Sequence, residues 1–452
     1  MRNRRELFRT GQIFQSQEHD FKRELTSIST SINLRYGKTS IPFEYDEARF
    51  LILGHEEDHR PLTDADIGQK LDGPIDSPTM EETVSPGDSV LIVVPDATRQ
   101  TGAGQVVNLI VRRLIANGVS PNDIRIIFAT GIHRRVTENE KSSILTPFIA
   151  QRIKTLDHDP SDLMQIVRLG ETSGGIPVEL NRALTEHDHV VLVGGVSFHY
   201  FAGFTGGRKL VCPGLGSTRT ISSTHKLAFN CETRCRREGV GTGMLDGNAV
   251  HEAFIEAAEF VKPSFAINTI VNDAGEIVAL FCGDWVASHR KACDTYASSH
   301  AIRISERREV VIASCGGYPH DINMIQAHKT LEAASQGCRE GGTIILLAEC
   351  ADGLGRKDFL DWFNAENSED LAARLCDKYQ VNGQTAWSLL RKAECFDIRI
   401  VSGIDATTAE RMRLTPMQSL SRAFAKIDKN ANGYILPFGA KFLPVSDRGS
   451  VI

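Results

Sequence analysis

Two histidines and one lysine near a glycine-rich loop are the residues in this sequence best suited to chemistry. His199 begins the loop, Lys209 ends it, and His225 follows sixteen residues later. Imidazoles exchange protons near neutral pH, and a glycine-rich loop lets backbone N–H groups approach and cradle an anion. We therefore predict a ligand site here. The alternative is a polar loop with incidental residues, since most single histidines are surface or satisfied core residues.

Three apolar runs before these residues have the length and composition of strands buried on both faces of a sheet. They are residues 89–94, 124–129 and 190–196. A helical pattern at 106–117 separates the first two runs, and a strand–helix–strand order implies a parallel sheet. The polar residues that follow these strands are Asp96, Arg99, His133 and His199. We expect them at the carboxyl edge of the sheet, where open α/β sheets bind ligands.

The length of the chain predicts more than one domain. A chain of 452 residues exceeds one ordinary hydrophobic core. We expect an N-terminal α/β domain over 1–300, a C-terminal α/β domain over 303–437 and a tail over 438–452, with mostly parallel sheets. Residues 1 to about 45 are polar and charged, and we expect them to form an irregular or helical extension.

Charge and composition exclude several classes of protein. The net charge is −6, and no basic block occurs beyond the first few residues, which argues against nucleic acid or a membrane surface as partner. No apolar stretch approaches the length of a membrane span, and the basic start lacks the apolar region of a secretory signal. The ten cysteines contain no CxxC pair. We expect reduced thiols in a cytoplasmic protein.

Some common nucleotide and hydrolase motifs are absent. The sequence has no GxxxxGK[ST] loop, no GxSxG elbow and no GxGxxG in its first strand–helix turn. These absences disfavour a P-loop ATPase, an α/β-hydrolase and ordinary NAD binding.

Other polar residues remain ambiguous when taken one at a time. His133 is an exposed loop histidine or a site residue, and Asp96 with Arg99 is a local ion pair or an anion-binding arginine held by its aspartate. Gln326 and Lys329 share one helix face at i, i+3, which is usually a solvated face. Two further features have a structural explanation as their simpler interpretation. They are Trp387 as a core residue, and Cys231 with Cys235 as free buried thiols and not a metal pair.

Taken together, these residues resemble the lactate racemase family, enzymes that use a nickel-pincer nucleotide. The matching segments are DATR at 96–99, ATGIHR at 129–134, HYFAGFTGGRK at 199–209, GGYP at 316–319 and ECADG at 349–353, with His225, Gln326 and Lys329. Their order and spacing agree over roughly residues 85–400. The resemblance implies two α/β domains with the active site in the cleft between them.

The resemblance also implies a role for each position. Lys209 would carry the cofactor covalently through a thioamide, and His225 would be the protein's nickel ligand. His133 and His199 would be the acid/base pair. Three residues would hold the substrate carboxylate: Arg99, Gln326 and Lys329. Asp96 would help to set the site, and Trp387 falls where the family has a tryptophan beside the cofactor.

The implied reaction is racemisation or epimerisation of a 2-hydroxy acid by reversible hydride transfer. A flat 2-keto acid accepts the hydride back on either face, and two histidines serve the two enantiomers. The substrate is expected to differ from lactate, because Ile325 replaces an aromatic residue and His320 and His328 lie nearby. Cofactor-making proteins would be partners in the cell.

Two alternatives remain at this point. One is a non-catalytic nickel or nucleotide-binding homologue, which would have no need for both His133 and His199. The other is a metal-dependent hydrolase with His133, His199 and His225 as ligands. Lys209 and the lack of a carboxylate partner disfavour it.

Overall fold

The computed structural model describes residues 29–55 and 59–446, and these form two α/β units, each built on a six-stranded sheet. The predicted fold class is confirmed, because both sheets are mostly parallel. Within the described residues, no helix is long and apolar enough to cross a membrane.

The described part of the chain begins with three strands that pack against or join the second sheet. They are β1 (Ser29–Tyr36), β2 (Thr39–Asp46) and β3 (Phe50–Ile52). β1 and β2 form an antiparallel hairpin, whereas β3 is the edge strand of the second sheet. Leu34 and Phe43 of the hairpin pack in one core cluster with Val310 and Ile312. The expected irregular or helical extension is therefore wrong for residues 29–46, and residues 1–28 lie outside the described part. The expected 1–300 unit also loses this segment, because its apolar face is buried against the second sheet.

The first unit follows the predicted alternation of strands and helices. Its elements up to residue 195 are α1 (Asp64–Leu71), α2 (Met80–Thr83), β4 (Val90–Pro95), α3 (Ala103–Ala116), β5 (Ile124–Ala129), α4 (Glu138–Leu145), α5 (Pro147–Arg152), β6 (Lys154–Leu156), β7 (Ile166–Glu171), β8 (Pro177–Asn181) and β9 (His189–Gly195). Ile92 packs with α3 residues, whereas Leu91 and Val93 pack with Phe254 on the other face. Burial on both faces explains why β4 is apolar throughout.

Four short strands and five longer elements complete the first unit. They are β10 (Phe198–His199), β11 (Gly203–Phe204), α6 (Thr218–Lys226), β12 (Phe229–Asn230), β13 (Cys235–Arg236), α7 (Ala249–Glu259), β14 (Phe265–Val271), β15 (Ile277–Gly283) and α8 (Ala287–His300). The sheet order is β15-β14-β9-β4-β5-β6, and only β15 runs antiparallel to its neighbour. β4, β5 and β9 therefore end at the same edge, with β4 in the middle.

The second unit is a parallel sheet covered by helices and by the N-terminal hairpin. Its remaining elements are β16 (Ala301–Ile304), β17 (Arg308–Ser314), α9 (Met324–Gly337), β18 (Cys338–Leu347), α10 (Ser368–Asp377), α11 (Val381–Cys395), β19 (Asp397–Val401), α12 (Ala406–Arg411), β20 (Thr415–Met417), α13 (Leu420–Phe424), β21 (Gly433–Leu436) and β22 (Leu443–Ser446). The order β20-β19-β18-β17-β21-β3 is parallel throughout. The expected tail over 438–452 is partly wrong, because β22 (Leu443–Ser446) pairs with β16; residues 447–452 lie outside the described part.

The β12–β13 hairpin of the first unit docks against the second unit. Arg236 donates to both carboxylate oxygens of Glu332 in α9, at 2.9 and 3.0 Å. Cys231, in the turn of the hairpin, forms a disulfide with Cys376 of α10. The expectation of ten reduced thiols is wrong at this pair, because the fold brings the two Cα atoms to 5.7 Å across 145 residues of sequence. Cys235 is a free thiol as expected, but it is exposed and not buried.

Candidate active site

Lys209 and His225 face one pocket between two phenylalanine rings. The Lys209 Nζ lies 5.4 Å from the centroid of the Phe201 ring and 5.3 Å from that of Phe254. The His225 ring lies 5.0 and 5.6 Å from the same two centroids. We call this the Lys209 pocket, defined by Phe201, Phe254, Lys209 and His225. The structure therefore brings together the predicted anchoring amine and the predicted metal-binding imidazole.

His199 borders the Lys209 pocket through Phe201. Its ring meets the Phe201 ring edge-on at 4.5 Å, and its side chain is buried. The Ala202 backbone N–H donates to Nδ1 of His199 at 3.3 Å. A ring that accepts at Nδ1 carries its proton on Nε2 in the neutral form. Burial lowers the pKa of His199 well below its ordinary value, and the positive charges of Lys209, Lys329 and Arg99 add to the effect.

His133 lies in a different setting after β5. Its Nδ1 lies 2.7 Å from Oδ2 of Asp96, and its side chain is about half exposed. Asp96 accepts two further hydrogen bonds from Thr98, from the backbone N–H at 3.0 Å and from the hydroxyl at 2.6 Å. Burial raises the pKa of Asp96, but His133, Thr98 and Arg99 outweigh it, so the pKa lies below its ordinary value. The ionised carboxylate thus holds Nδ1–H of His133 and leaves Nε2 free to accept a proton.

Three residues from the two units supply polar groups for an anion. Lys329 of α9 donates to Oε1 of Gln326 at 2.6 Å, so the i, i+3 pair does act on one face. Arg99 follows β4 in the first unit, and within the described residues its guanidinium makes no hydrogen bond or ion pair. Burial lowers the pKa of Lys329 well below its ordinary value, and the positive charge of Arg99 adds to this effect. Arg99 is therefore close enough to Lys329 to act on its charge, and it has no ion pair of its own within the described residues, which favours an anion-binding Arg99 over a local ion pair.

His225 and Lys209 have the properties that a covalently held metal cofactor needs. Nδ1 of His225 is buried and has no partner at hydrogen-bond geometry within the described residues. Burial lowers the pKa of His225 to about 3, with Lys209 adding to the effect, so the ring is a neutral donor. Burial also lowers the pKa of Lys209 well below its ordinary value, with Arg208 next in importance. A neutral amine and a neutral imidazole facing one pocket fit the predicted nickel-pincer nucleotide.

The three predicted histidines do not form a metal site of their own. Within residues 29–55 and 59–446, no three His, Cys, Asp or Glu side chains lie close enough together to hold a metal ion. The hydrolase alternative requires His133, His199 and His225 at one ion, so the arrangement does not support it. A cofactor that brings its own donors needs only one protein ligand, such as His225.

Trp387 and His328 lie in the packed interface between the two units and not in the Lys209 pocket. Trp387 on α11 is buried, and its ring meets Phe229 edge-on at 5.0 Å. His328 is fully buried beside Glu332, and its ring lies 5.5 Å from Tyr200. A position of Trp387 beside the cofactor therefore remains a prediction. His320 is partly buried and lines a cavity with Arg35 and Lys441.

Two residues of the site escaped the sequence analysis as functional candidates. Phe254 on α7 forms one wall of the Lys209 pocket, and nothing in its spacing distinguishes it from a core residue. Arg208 is adjacent to Lys209 in the sequence, but its full burial could not be read from a charged residue in a polar loop. Its proximity to Lys209 was the available signal.

Comparisons with known proteins identify the family of this chain. The lactate racemase N-terminal domain matches residues 36–236, and the lactate racemase C-terminal domain matches residues 304–436. A lactate racemase of Lactiplantibacillus plantarum is 32% identical over 334 residues, covering 73% of this chain and 77% of that protein. A lactate racemase of Thermoanaerobacterium thermosaccharolyticum is 28% identical over 353 residues, covering 77% and 81%.

Solved structures give the same answer for the fold. The lactate racemase apoprotein from Thermoanaerobacterium thermosaccharolyticum superposes with a TM-score of 0.84 at 25% identity, covering 92% of this chain and all of that one. A protein from Thermotoga maritima has a TM-score of 0.66 at 20% identity, over 87% of this chain and 100% of its own, and shows likeness of fold alone. The resemblance inferred from the motifs is confirmed: the chain belongs to the lactate racemase family, a family of isomerases.

Proposed function

We propose that this protein racemises or epimerises 2-hydroxy acids by reversible hydride transfer from C2 to a nickel-pincer nucleotide attached to Lys209. The observation that carries the proposal is the shared pocket of Lys209 and His225, bordered by His199 through Phe201. When bound, the cofactor would supply the hydride acceptor. Lys209 would hold it covalently, and His225 would donate a ring nitrogen to nickel, a metal that imidazole suits.

Arg99, Gln326 and Lys329 would bind the substrate carboxylate. Arg99 and Lys329 come from different units and act on each other electrostatically, so a carboxylate between them relieves repulsion between two positive charges. Gln326 restrains Lys329 through its 2.6 Å hydrogen bond. Holding the carboxylate at three points orients C2 and brings the two units together over the substrate, which excludes water.

His133 and His199 would handle the proton of the substrate hydroxyl. His133 has Nε2 free to accept it, because Nδ1–H is held by Asp96. His199 presents Nε2–H in its neutral form, because Nδ1 accepts from Ala202. To act as a base at Nε2, His199 must carry its proton on Nδ1 instead, which means giving up the 3.3 Å contact with the Ala202 N–H. Each histidine would then be the base for one enantiomer and, once protonated, the acid for the other.

We further propose that the preferred substrate is larger than lactate or differently substituted. Ile325, which precedes Gln326 on α9, is only partly buried and stands where lactate enzymes tend to have an aromatic residue. His320 and Lys441 line a cavity, and the charge of Lys329 acts on His320. The protein would act in the cytoplasm, where other proteins make the cofactor.

The test is production of the protein with and without the cofactor-making proteins. Intact mass should show an adduct on Lys209 only in the first preparation, together with nickel and racemisation of a 2-hydroxy acid. An adduct and nickel without turnover on a broad panel would favour the non-catalytic binding alternative. Lactate as clearly the best substrate would contradict the proposed specificity while leaving the reaction class intact.

A further inference from the structure

Arg208, the neighbour of Lys209, is a buried cation without a carboxylate partner. Its side chain has no exposed surface, and it heads the largest fully buried side chains of the described part. Within the described residues it forms no ion pair, and its Nε has no hydrogen-bond partner. Burying a guanidinium away from a counter-charge is costly. Its other donor atoms must therefore offset much of that cost.

Those donors bind the carbonyls of the loop that leads to Lys209. Nη2 donates to the Ala202 carbonyl at 2.7 Å, and Nη1 donates to that of Phe204 at 3.0 Å. Nη1 also approaches the Gly206 carbonyl at 3.4 Å. Three alternate carbonyls thus point inward at one guanidinium. We call this loop, residues 202–206, the arch, because its carbonyls surround the Arg208 guanidinium.

A histidine of α8 closes the same arch. His289 lies with its Nε2 2.9 Å from the Thr205 carbonyl and 3.1 Å from Nη1 of Arg208. Gly207 lies against this ring with a φ of +49°, and a Cβ there would lie 2.6 Å from the imidazole. No larger residue fits at Gly207 without moving His289 or the arch.

The arch determines where Lys209 points. Gly207–Leu210 is a short 3₁₀ turn, in which successive side chains diverge by about 120°. Arg208 enters the arch, so Lys209 leaves it toward Phe201 and Phe254. Phe201 belongs to the same loop, beside the Ala202 carbonyl that Arg208 binds.

We propose that Arg208 is the positioning residue for covalent attachment of the cofactor, acting by gathering the loop carbonyls so that Lys209 projects into the pocket shared with His225. The inference depends on the proposed function, because it concerns the same lysine. Attachment joins Nζ to a thiocarboxyl carbon and releases one water, and no electrons are exchanged. The lowered pKa of Lys209, to which burial and then Arg208 contribute, supports the same role, because only the free amine forms this bond.

The test compares Arg208→Met and Arg208→Lys with the wild type, and Arg290→Met serves as control. Arg290 is a nearby, partly exposed arginine paired with Asp246, outside the arch. Two rates are measured: cofactor adduct formation on Lys209, and acetylation of Lys209 in the apoprotein by an N-hydroxysuccinimide ester, relative to exposed Lys262. We expect Arg208→Met to slow both by about tenfold or more, Arg208→Lys to recover part of each, and Arg290→Met to match the wild type.

Two outcomes would overturn the proposal. One is a folded Arg208→Met protein, by its melting temperature, that labels Lys209 at the wild-type rate. The other is equal slowing at Lys209 and Lys262, which would mean that the effect of Arg208 is not specific to Lys209. If Arg208→Met does not fold, the proposal is tested by the acetylation rate of Lys209 relative to Lys262 in Arg208→Lys. A wild type that never acquires the cofactor contradicts the proposed function instead, and acetylation still tests Arg208.

Discussion

His133 and His199 lie after β5 and β9 at the same sheet edge, and their surroundings differ in nearly every respect. His133 is half exposed and is held by the carboxylate of Asp96. His199 is buried, rests against Phe201 and Tyr200, and accepts a backbone N–H. The difference fixes opposite neutral tautomers, with the proton on Nδ1 of His133 and on Nε2 of His199.

The comparison indicates that the two proposed acid/base roles, which are chemically equivalent, belong to histidines in different surroundings. The carboxylate of Asp96 lies 2.7 Å from Nδ1 of His133, so this imidazole has a fixed hydrogen-bond partner of negative charge. A proton gained by His199 meets a buried site near Lys209, Lys329 and Arg99, which disfavours the charge. A bound substrate carboxylate would neutralise part of this positive charge. His199 therefore depends on the substrate in a way that His133 does not.

Removing either imidazole should have the largest effect. We expect His133→Ala and His199→Ala each to lower the kcat of the cofactor-loaded protein by about 10²–10⁴-fold, the usual contribution of a positioned acid or base. Because enantiomers have equal free energy, kcat/KM must fall equally in the two directions. Circular dichroism of the substrate measures both directions. His187→Ala, outside the site, is the control; a variant at 133 or 199 with control-like turnover would break the comparison.

Removing the carboxylate should affect His133 selectively. Asp96→Asn keeps the size of the side chain but removes the charge that holds Nδ1–H, and we expect a loss of about 10–10²-fold in kcat. Asp88→Asn is a matched control, because Asp88 pairs with His189 at 3.1 Å away from the site. The measurement is the kcat of each variant divided by that of the wild type, taken across a series of pH values. Equal losses for the two variants would show that Asp96 acts only through general stability.

Local patterns predicted most of the fold because they are set by nearest neighbours in sequence. The runs that became β4, β5 and β9 are apolar throughout, and only strands buried on both faces require that composition. The N-terminal hairpin could not be assigned to the second unit, because its burial depends on partners such as Val310, about 270 residues away. The disulfide of Cys231 and Cys376 escaped prediction for the same reason.

The sequence analysis predicted the polar residues of the candidate site. It did not single out the residues that shape the site by packing or by hydrogen bonds within the loop. Strand-end positions placed Asp96 and His133 at one edge, and the family resemblance supplied the roles of Lys209 and His225. Phe254 and Arg208 were not singled out, because their contribution depends on which way each side chain points. His328, by contrast, was expected near the substrate, but the α9 helix turns it into the interface beside Glu332.

The pH dependence of stability should separate the two histidine settings. His199 has a lowered folded pKa, so below pH 6.5 the unfolded chain binds a proton that the folded chain does not. The free energy of unfolding then falls as the pH drops, by at most about 1.4 kcal/mol per pH unit for each such group. His225, with a folded pKa of about 3, and His158, with one of about 4, act in the same direction. We therefore expect the apoprotein to lose stability steadily from pH 6.5 to about 4.

Variants can show which titrating groups cause this loss of stability at low pH. Asp96 has a lowered folded pKa, so its stabilising contribution is present above the unfolded value of about 3.9 and is lost only as the pH falls through the folded value. His199→Gln should make the loss shallower between pH 6.5 and 5, whereas Asp96→Asn should alter it only below about pH 4. Urea unfolding midpoints at half-unit intervals provide the measurement. A His199→Gln curve parallel to the wild type would mean that His199 already exchanges protons freely.

The smallest expected effect concerns the restraint on Lys329, whose charge acts on His199. Gln326→Ala removes the 2.6 Å hydrogen bond and leaves the Lys329 amine free to move within the cleft. The loss of one such bond should raise KM by about threefold to tenfold with little change in kcat, because carboxylate binding is the same in the ground and transition states. Gln336→Ala, near the far end of the same helix, is the control. A fall in kcat with unchanged KM would instead show that Lys329 influences His199 during proton transfer, and the two histidines would then differ in their partners on the second unit as well as on the first.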